Sequence, residues 1–125
     1  FMLEALLALG YADRARRTID RFRQRQTSDG YFLSQEGEWD SNGEALWAMA
    51  RYVKVSGREP DPAWRRSVEI GARWIIDKRD RSRGKPHSGL FPAGFSAEHL
   101  GLNDYYYWDD YWGVAGLLSA AYLME

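Results

Sequence analysis

The chain has 125 residues, of which 45% are hydrophobic and 28% charged, and this balance is typical of one folded domain. The formal net charge of −1 gives no electrostatic reason to expect a nucleic acid or an anionic membrane as partner. Because cysteine is absent, disulfides, cysteine metal ligands and cysteine nucleophiles are excluded. Six Trp and eight Tyr are the unusual feature, and they suit both a core and a ligand cleft.

Signals for membrane insertion or export are not expected in this sequence. The longest uncharged stretch near the C-terminus, residues 111–124, is too short to span a bilayer. No basic segment precedes the apolar opening FMLEALLALG, so this opening does not resemble a signal peptide. A cytoplasmic location is slightly favoured. Apolar helical patterns reach both ends without a polar tail, and we therefore expect the chain to be a piece of a longer protein.

Two helices are predicted in the first part of the chain. Residues 1–9 are almost entirely apolar and are followed by Gly10, which indicates a buried helix that ends at a glycine. The segment 11–26 has four apolar residues at helical spacing, namely Ala12, Ala15, Ile19 and Phe22. Arginines occupy its other faces. Because Asp13 and Asp20 interrupt them, we interpret this face as the solvated side of an outer helix rather than a phosphate-binding surface.

A loop and then a fully buried helix are predicted for the middle of the chain. Residues 27–43 have the composition of a loop, with a turn at Asp29 and the glycine after it. Ser41 and Glu44 have the spacing of a capping box, which predicts a helix N-terminus there. Residues 45–50 are apolar on all sides, and this pattern is typical of a helix buried all round.

An outer helix, a second long loop and a last apolar helix complete the pattern. Asp61 followed by Pro62 predicts a helix start. The apolar stripe of this helix comprises Trp64, Val68, Ala72 and Ile75. Residues 80–104 contain glycines and prolines without any periodicity, and a loop of this length in a compact domain is usually functional. Residues 105–123 are apolar nearly throughout and predict another buried helix.

A weak internal repeat suggests how these elements are arranged. SDGYF at 28–32 and HSGLF at 87–91 are each followed by a Trp-Asp pair and an apolar helix. The glycines of the two turns are 59 positions apart and the aspartates of the two pairs 69, which fits a repeat of one helical hairpin. The sequence therefore predicts an all-α fold. Its expected arrangement is an α/α toroid, an inner ring of helices sheathed by an outer ring, of which residues 1–125 supply about two to two and a half hairpins.

The two Trp-Asp pairs are the candidate ligand-binding residues. Trp39-Asp40 and Trp108-Asp109 both lie where a buried helix is predicted to begin, with Asp110 beside the second pair. An aromatic face can stack on the C–H side of a sugar while a carboxylate accepts hydrogen bonds from its hydroxyls. A carbohydrate is therefore the predicted ligand. The alternative is that the aspartates only cap helix N-termini and complement their dipoles, and the sequence leaves both interpretations open.

Glu98 is the candidate catalytic acid. It lies in the segment FSAEHL, within the second long loop and near Phe91, Phe95 and His99. A carboxyl group in an aromatic cleft has a raised pKa, as a general acid in glycoside cleavage requires. The alternative is a solvated loop glutamate without a catalytic role.

Three segments together resemble a known superfamily. GEWDSNGEALWAMARY, HSGLFPAGFSAEHLG and NDYYYWDDYW are similar to segments of the six-hairpin, (α/α)6-barrel glycosidases. Glucoamylase-like and glycogen-debranching-enzyme-like members are the most similar, and YYYWDDYW also resembles the Tyr-Tyr-Trp-Asp segment of trehalase-like enzymes. The similarity covers most of residues 28–124.

The resemblance implies a glycoside hydrolase that acts on glucosyl-type oligosaccharides or polysaccharides by general acid/base catalysis, without a cofactor. It places Asp40 at a sugar-binding position and Glu98 at the place of the general acid, where Ala97 replaces the tryptophan of the family. The general base of the family lies in a later hairpin. The resemblance therefore implies that the rest of a parent chain completes the toroid, and that these residues alone are inactive.

Other classes of protein are less consistent with the sequence. Terpene cyclases and protein prenyltransferases also form α/α toroids, but the prenyltransferase zinc site needs a cysteine, and Asp109-Asp110 lacks the third aspartate of a D-D-x-x-D motif. His87 and His99 are twelve positions apart with no third ligand in register, so no metal site is predicted. No G-x-S-x-G nucleophile segment occurs. A non-catalytic carbohydrate-binding or structural α/α module stays an open alternative.

Overall fold

The computed structural model describes residues 2–95 and 103–125. This part of the chain is helical and contains no β-strand, apart from two isolated bridges between loop residues. The helices are α1 (Met2–Ala8), α2 (Ala12–Gln24), α3 (Ser41–Ser56), α4 (Arg65–Lys78) and α5 (Tyr107–Met124), with a 3-10 helix (Pro62–Trp64) directly before α4. The predicted all-α fold class is confirmed.

Local sequence accounts for several of the helix ends. The Asp61 carboxylate accepts a hydrogen bond from the Ala63 backbone N–H at 2.7 Å, so that Asp61 caps the 3-10 helix that begins at Pro62. Gly57 ends α3 in a left-handed conformation with φ of 66°, and its N–H donates to the Val53 carbonyl.

The capping box predicted at Ser41 is wrong. Asp40 occupies the N-cap of α3, and its carbonyl accepts the Glu44 backbone N–H at 3.0 Å. Ser41 is consequently the first helical residue, and its side chain faces the interior instead of the helix end. Its buried hydroxyl oxygen has no hydrogen-bond partner among the residues that the structure describes.

Helix α3 lies at the centre of the molecule and packs against each of the other four α-helices. It runs parallel to α5, since Trp108 bonds Asp40 where both helices begin, and the Lys54 ammonium lies 4.3 Å from the Tyr122 ring centroid near where both end. Glycines allow the two backbones to approach closely: a Cβ on Gly43 would lie 2.1 Å from the Trp112 carbonyl oxygen.

Helices α2 and α4 run in the opposite direction to α3. The Trp64 indole donates to Asp20 at 3.2 Å and the Arg23 guanidinium donates to the Ser67 hydroxyl at 3.3 Å, so α2 and α4 advance side by side. Arg58, just after α3, pairs with Asp13 at the start of α2 at 2.7 Å. Arg14, Arg17 and Arg21 of α2 are exposed to solvent, and so is Arg25 directly after it, in agreement with the predicted solvated face.

The core lies between these two sets of helices. Its largest fully buried side chains include Trp64, Tyr52, Ile19, Leu46 and Met49. The expectation of a buried last helix holds for one face of α5 only, because α3 and α4 cover that face while Tyr111, Val114 and Leu118 stay exposed. None of the helices in the described ranges has the length and apolar character needed to cross a bilayer.

Candidate functional site

The two Gly-aromatic turns are built alike. Gly30 and Gly89 both have positive φ, at 100° and 93°. The Phe32 backbone N–H donates to the Asn42 side-chain oxygen at 2.7 Å, and the Phe91 N–H donates to the Asp110 carboxylate at 2.9 Å. In each case a side chain from the first turn of the helix that follows holds the Phe of the turn. The weak internal repeat in the sequence therefore corresponds to two turns with similar hydrogen bonding in the structure.

Asn42 is a buried polar residue whose role the sequence did not indicate. Its side-chain amide donates to the carbonyls of Gly30 and Gly71, both at 3.0 Å, while its oxygen accepts the Phe32 N–H. With these bonds Asn42 ties the first loop and α4 to the start of α3. The one available signal was an asparagine inside a segment that otherwise becomes apolar.

Trp108 and Asp40 meet where α3 and α5 begin. The Trp108 indole N–H donates to the Asp40 carboxylate at 2.8 Å, across 68 positions of sequence. Trp108 is 53% exposed, with the exposed rings of Tyr107 and Tyr111 on the same turn of α5. The structure thus brings one predicted tryptophan and one predicted aspartate together, on a surface where an aromatic ring faces solvent.

Asp109 is the buried acid of this region. Its side chain is only 6% exposed, and this burial is the main cause that raises its pKa from 3.8 to about 7. The negative charges of Asp40, Asp110 and Glu38 raise it further, while a hydrogen bond from the Trp39 backbone N–H opposes the shift. A carboxyl with this pKa holds its proton in mildly acidic solution and can release it near neutrality.

Two further titratable groups lie beside it. Burial raises the pKa of Asp110, and the hydrogen bond from the Phe91 N–H acts in the opposite direction. The Tyr31 phenol oxygen lies 2.6 Å from the Glu38 carbonyl oxygen and 2.9 Å from that of Gln35. Burial raises its pKa, and so do the charges of Glu38, Asp40 and Asp109. The sequence showed Tyr31 only as the aromatic residue of a turn.

The Trp39 side chain lies in a different environment from that of Trp108. Its indole N–H donates to the Pro92 carbonyl at 3.1 Å, and its ring is half-buried beside Tyr31 and Trp74. The Lys78 ammonium lies 3.7 Å from the Trp39 ring centroid and occupies one of its faces, and burial lowers the pKa of Lys78. Trp39 therefore joins the loops to α4, and its role as a second stacking wall stays a prediction.

The candidate catalytic acid cannot be placed among the residues that the structure describes. Glu98 and its neighbour His99 lie outside the described residues. Of the two phenylalanines near Glu98 in sequence, Phe91 is buried and Phe95 is 38% exposed. Within residues 2–95 and 103–125, no group of three or more His, Asp or Glu side chains is arranged to hold a metal ion.

Comparison of the chain with models of protein families, with curated proteins and with solved structures finds no match. The likeness to six-hairpin glycosidases therefore stays a proposal, for which the contacts around Trp108 and Asp109 supply the support.

Proposed function

We propose that the chain forms part of a carbohydrate-active site of the glycoside hydrolase type, located where α3 and α5 begin. The observation that carries the proposal is that the exposed Trp108 and the buried Asp109 are adjacent in the first turn of α5. An exposed indole, held in place by the Asp40 carboxylate, directly precedes a buried carboxyl whose pKa is raised to about 7.

Sugar binding at this position would use the Trp108 ring and the Asp40 carboxylate. The ring presents an apolar face to the C–H side of a pyranose. A carboxylate has two oxygens with about four acceptor sites, so Asp40 can accept a sugar hydroxyl in addition to the Trp108 indole. The substrates proposed are glucosyl-type oligosaccharides or polysaccharides, as the resemblance implies.

Cleavage would require proton transfer to the glycosidic oxygen. The carboxyl proton moves to this oxygen, the bond between it and the anomeric carbon breaks, and water supplies the hydroxyl of the new reducing end while its proton passes to a base. Glu98 is the proposed donor on the basis of the resemblance. Asp109 is the described residue whose protonation suits the same role. The base is assigned to neither.

The proposed architecture is the α/α toroid, completed by further hairpins of a parent chain. Two features support it. The central helices α3 and α5 are parallel and α2 and α4 run against them, as inner and outer rings require. In addition, α5 exposes an apolar face that another inner helix could cover.

The first test is sugar binding by the 125-residue chain, followed through the indole N–H signals in NMR spectra. Titration with α-linked glucose oligosaccharides should shift the signal of Trp108, and Trp108→Ala should abolish binding. Tyr122→Ala is the matched control, because it removes an exposed ring from the other end of the same helix. Absence of any shift at tens of millimolar sugar, a concentration that detects Kd values in the weak millimolar range, would contradict the proposal.

The second test is hydrolysis by the full-length protein. Replacement of the proton donor by its amide, Glu98→Gln or Asp109→Asn, should lower kcat by roughly 10²- to 10⁴-fold with little change in sugar affinity. The variant that shows this loss identifies the donor. Sugar binding without any hydrolysis by the parent protein would instead favour the non-catalytic binding module.

A further inference from the structure

Asp40 occupies a helix N-cap without capping the helix. An aspartate at this position ordinarily accepts a backbone N–H from the second or third residue of its helix. Its side chain makes no such bond in the described structure. The carboxylate accepts the indole N–H of Trp108 from the neighbouring helix instead. This orientation requires an explanation other than helix capping.

The contact between α3 and α5 fixes this arrangement. A Cβ on Gly43 would lie 2.1 Å from the Trp112 carbonyl oxygen, and one on Gly116 would lie 2.6 Å from the Gly43 Cα, so the two helices touch through their backbones. The backbone at the start of α3 is therefore held against α5, and the Trp108 indole fixes the direction of the Asp40 side chain. Asp109 lies in that turn, directly after Trp108, with the Trp39 backbone N–H bonded to its carboxylate.

We propose that Asp40 is a positioning residue for Asp109: the Trp108 indole holds the Asp40 carboxylate beside the first turn of α5, in which the Asp109 carboxyl is buried. Trp108 thereby links the exposed aromatic surface to the buried acid. This role rests on the proposed function, which gives Asp109 a substrate to protonate.

Other charged and titratable groups also lie near Asp109. Glu38 and Tyr31 belong to the first loop, and Asp110 belongs to α5 itself. On α4, Lys78 lies over the Trp39 ring. Burial is the largest cause of the raised pKa of Asp109, and Asp40 is the largest of the charges that raise it. Removal of the Asp40 charge should therefore lower the pKa of Asp109.

The test is a ¹³C NMR titration of the Asp109 side-chain carboxyl in the 125-residue chain. Asp40→Asn retains a side-chain oxygen for the Trp108 indole and removes only the charge. It should lower the titration midpoint of Asp109 by about one pH unit. Glu36→Gln makes the same change of charge at an exposed residue of the same loop and should leave the midpoint within about 0.2 units, because solvent screens its charge.

Trp108→Phe tests the link through the indole. It keeps an aromatic ring but removes the donor, so the Asp40 side chain is free to turn towards the backbone N–H groups at the N-terminus of α3, and the titration midpoint of Asp109 should again fall. An unchanged midpoint in Asp40→Asn overturns the inference, even if that variant is less stable, since Asp40 would then have a structural role alone.

The same change should be visible in catalysis by the full-length protein. In Asp40→Asn the alkaline limb of the kcat/KM profile should move to lower pH by the amount that the carboxyl titration shows. A shifted midpoint in a protein that neither binds nor cleaves sugars would leave the coupling of Asp40 to Asp109 intact and contradict the proposed function. A shifted midpoint with an unmoved profile would contradict the role of Asp109 as donor.

Discussion

The carboxyl of Asp109 is buried where α5 begins, and its pKa of about 7 lies above the ordinary value of 3.8. Between pH 3.8 and about pH 7, the folded state therefore holds a proton on Asp109 that the unfolded chain has already lost. Because stability falls with pH wherever the folded state binds more protons, Asp109 favours folding fully below about pH 4 and loses that contribution as the pH rises towards 7.

Replacement of this residue by its neutral amide should reverse the effect. Asp109→Asn is expected to be more stable than the unmodified chain at pH 8, by on the order of 2–4 kcal/mol, and similar to it at pH 4. Urea unfolding at the two pH values measures the difference. Asp13→Asn, which removes an exposed carboxylate paired with Arg58, should give no gain at pH 8. Equal loss of stability at both pH values would show that Asp109 is ionised when folded.

The two Trp-Asp motifs of the candidate site differ in their surroundings in a way that the sequence did not indicate. Trp39-Asp40 and Trp108-Asp109 look equivalent as motifs, yet Lys78 covers a face of the first tryptophan while the second faces solvent. The difference arises from α4, because its Lys78 lies over the ring of Trp39 and not over that of Trp108. Similarly, the raised pKa of Asp109 depends on burial and on charges from another segment, which no local pattern contains.

At the scale of the elements, the close approach of α3 and α5 depends on two glycines. Gly43→Ala places a methyl group 2.1 Å from the Trp112 carbonyl oxygen, in a contact between backbones that cannot rotate away. The free energy of unfolding should fall by about 3 kcal/mol. Chemical denaturation measures the loss.

Gly57→Ala is the matched control for this variant. Gly57 has a positive φ of 66°, and a Cβ there would meet no atom of the described structure within 4 Å. Its substitution should therefore cost only the strain of the left-handed backbone, about 1 kcal/mol. A Gly43→Ala chain as stable as Gly57→Ala would mean that the two helices can separate at little cost.

The helices themselves were predictable because apolar spacing and termination signals agree. Segment 11–26 contains α2, and the segment 105–123 begins two residues before α5 and ends one residue short of it. The start of α3 was misread because Ser41 and Asp40 are both good N-cap residues. Only the direction of the chain as it leaves the first loop decides between them.

At the scale of the whole molecule, α5 has an apolar face that the described chain leaves open. Val114 is 58% exposed and Leu118 is 68% exposed. Exposed apolar patches of this kind favour association with another surface. Leu118→Lys should therefore reduce binding of a hydrophobic dye and self-association at high concentration, with a change in stability within about 0.5 kcal/mol.

Leu117 provides the comparison, since it is the adjacent leucine but packs partly against the core. Leu117→Lys should destabilise the chain by about 2 kcal/mol, because it brings an ammonium against apolar neighbours. Dye fluorescence, sedimentation and urea unfolding separate the two effects. Equal destabilisation by both substitutions would show that the face of α5 is not free in solution.

The central position of α3 also sets the timescale on which its backbone amides meet water. Leu46, Met49 and Tyr52 lie on a helix that every other α-helix contacts, so their N–H groups can exchange with solvent deuterium only when the whole chain unfolds. Amides of the seven-residue α1 should exchange through local fraying, orders of magnitude sooner. The slowest-exchanging amides would thus give the lifetime and free energy of the folded chain, and Gly43→Ala should accelerate all three together.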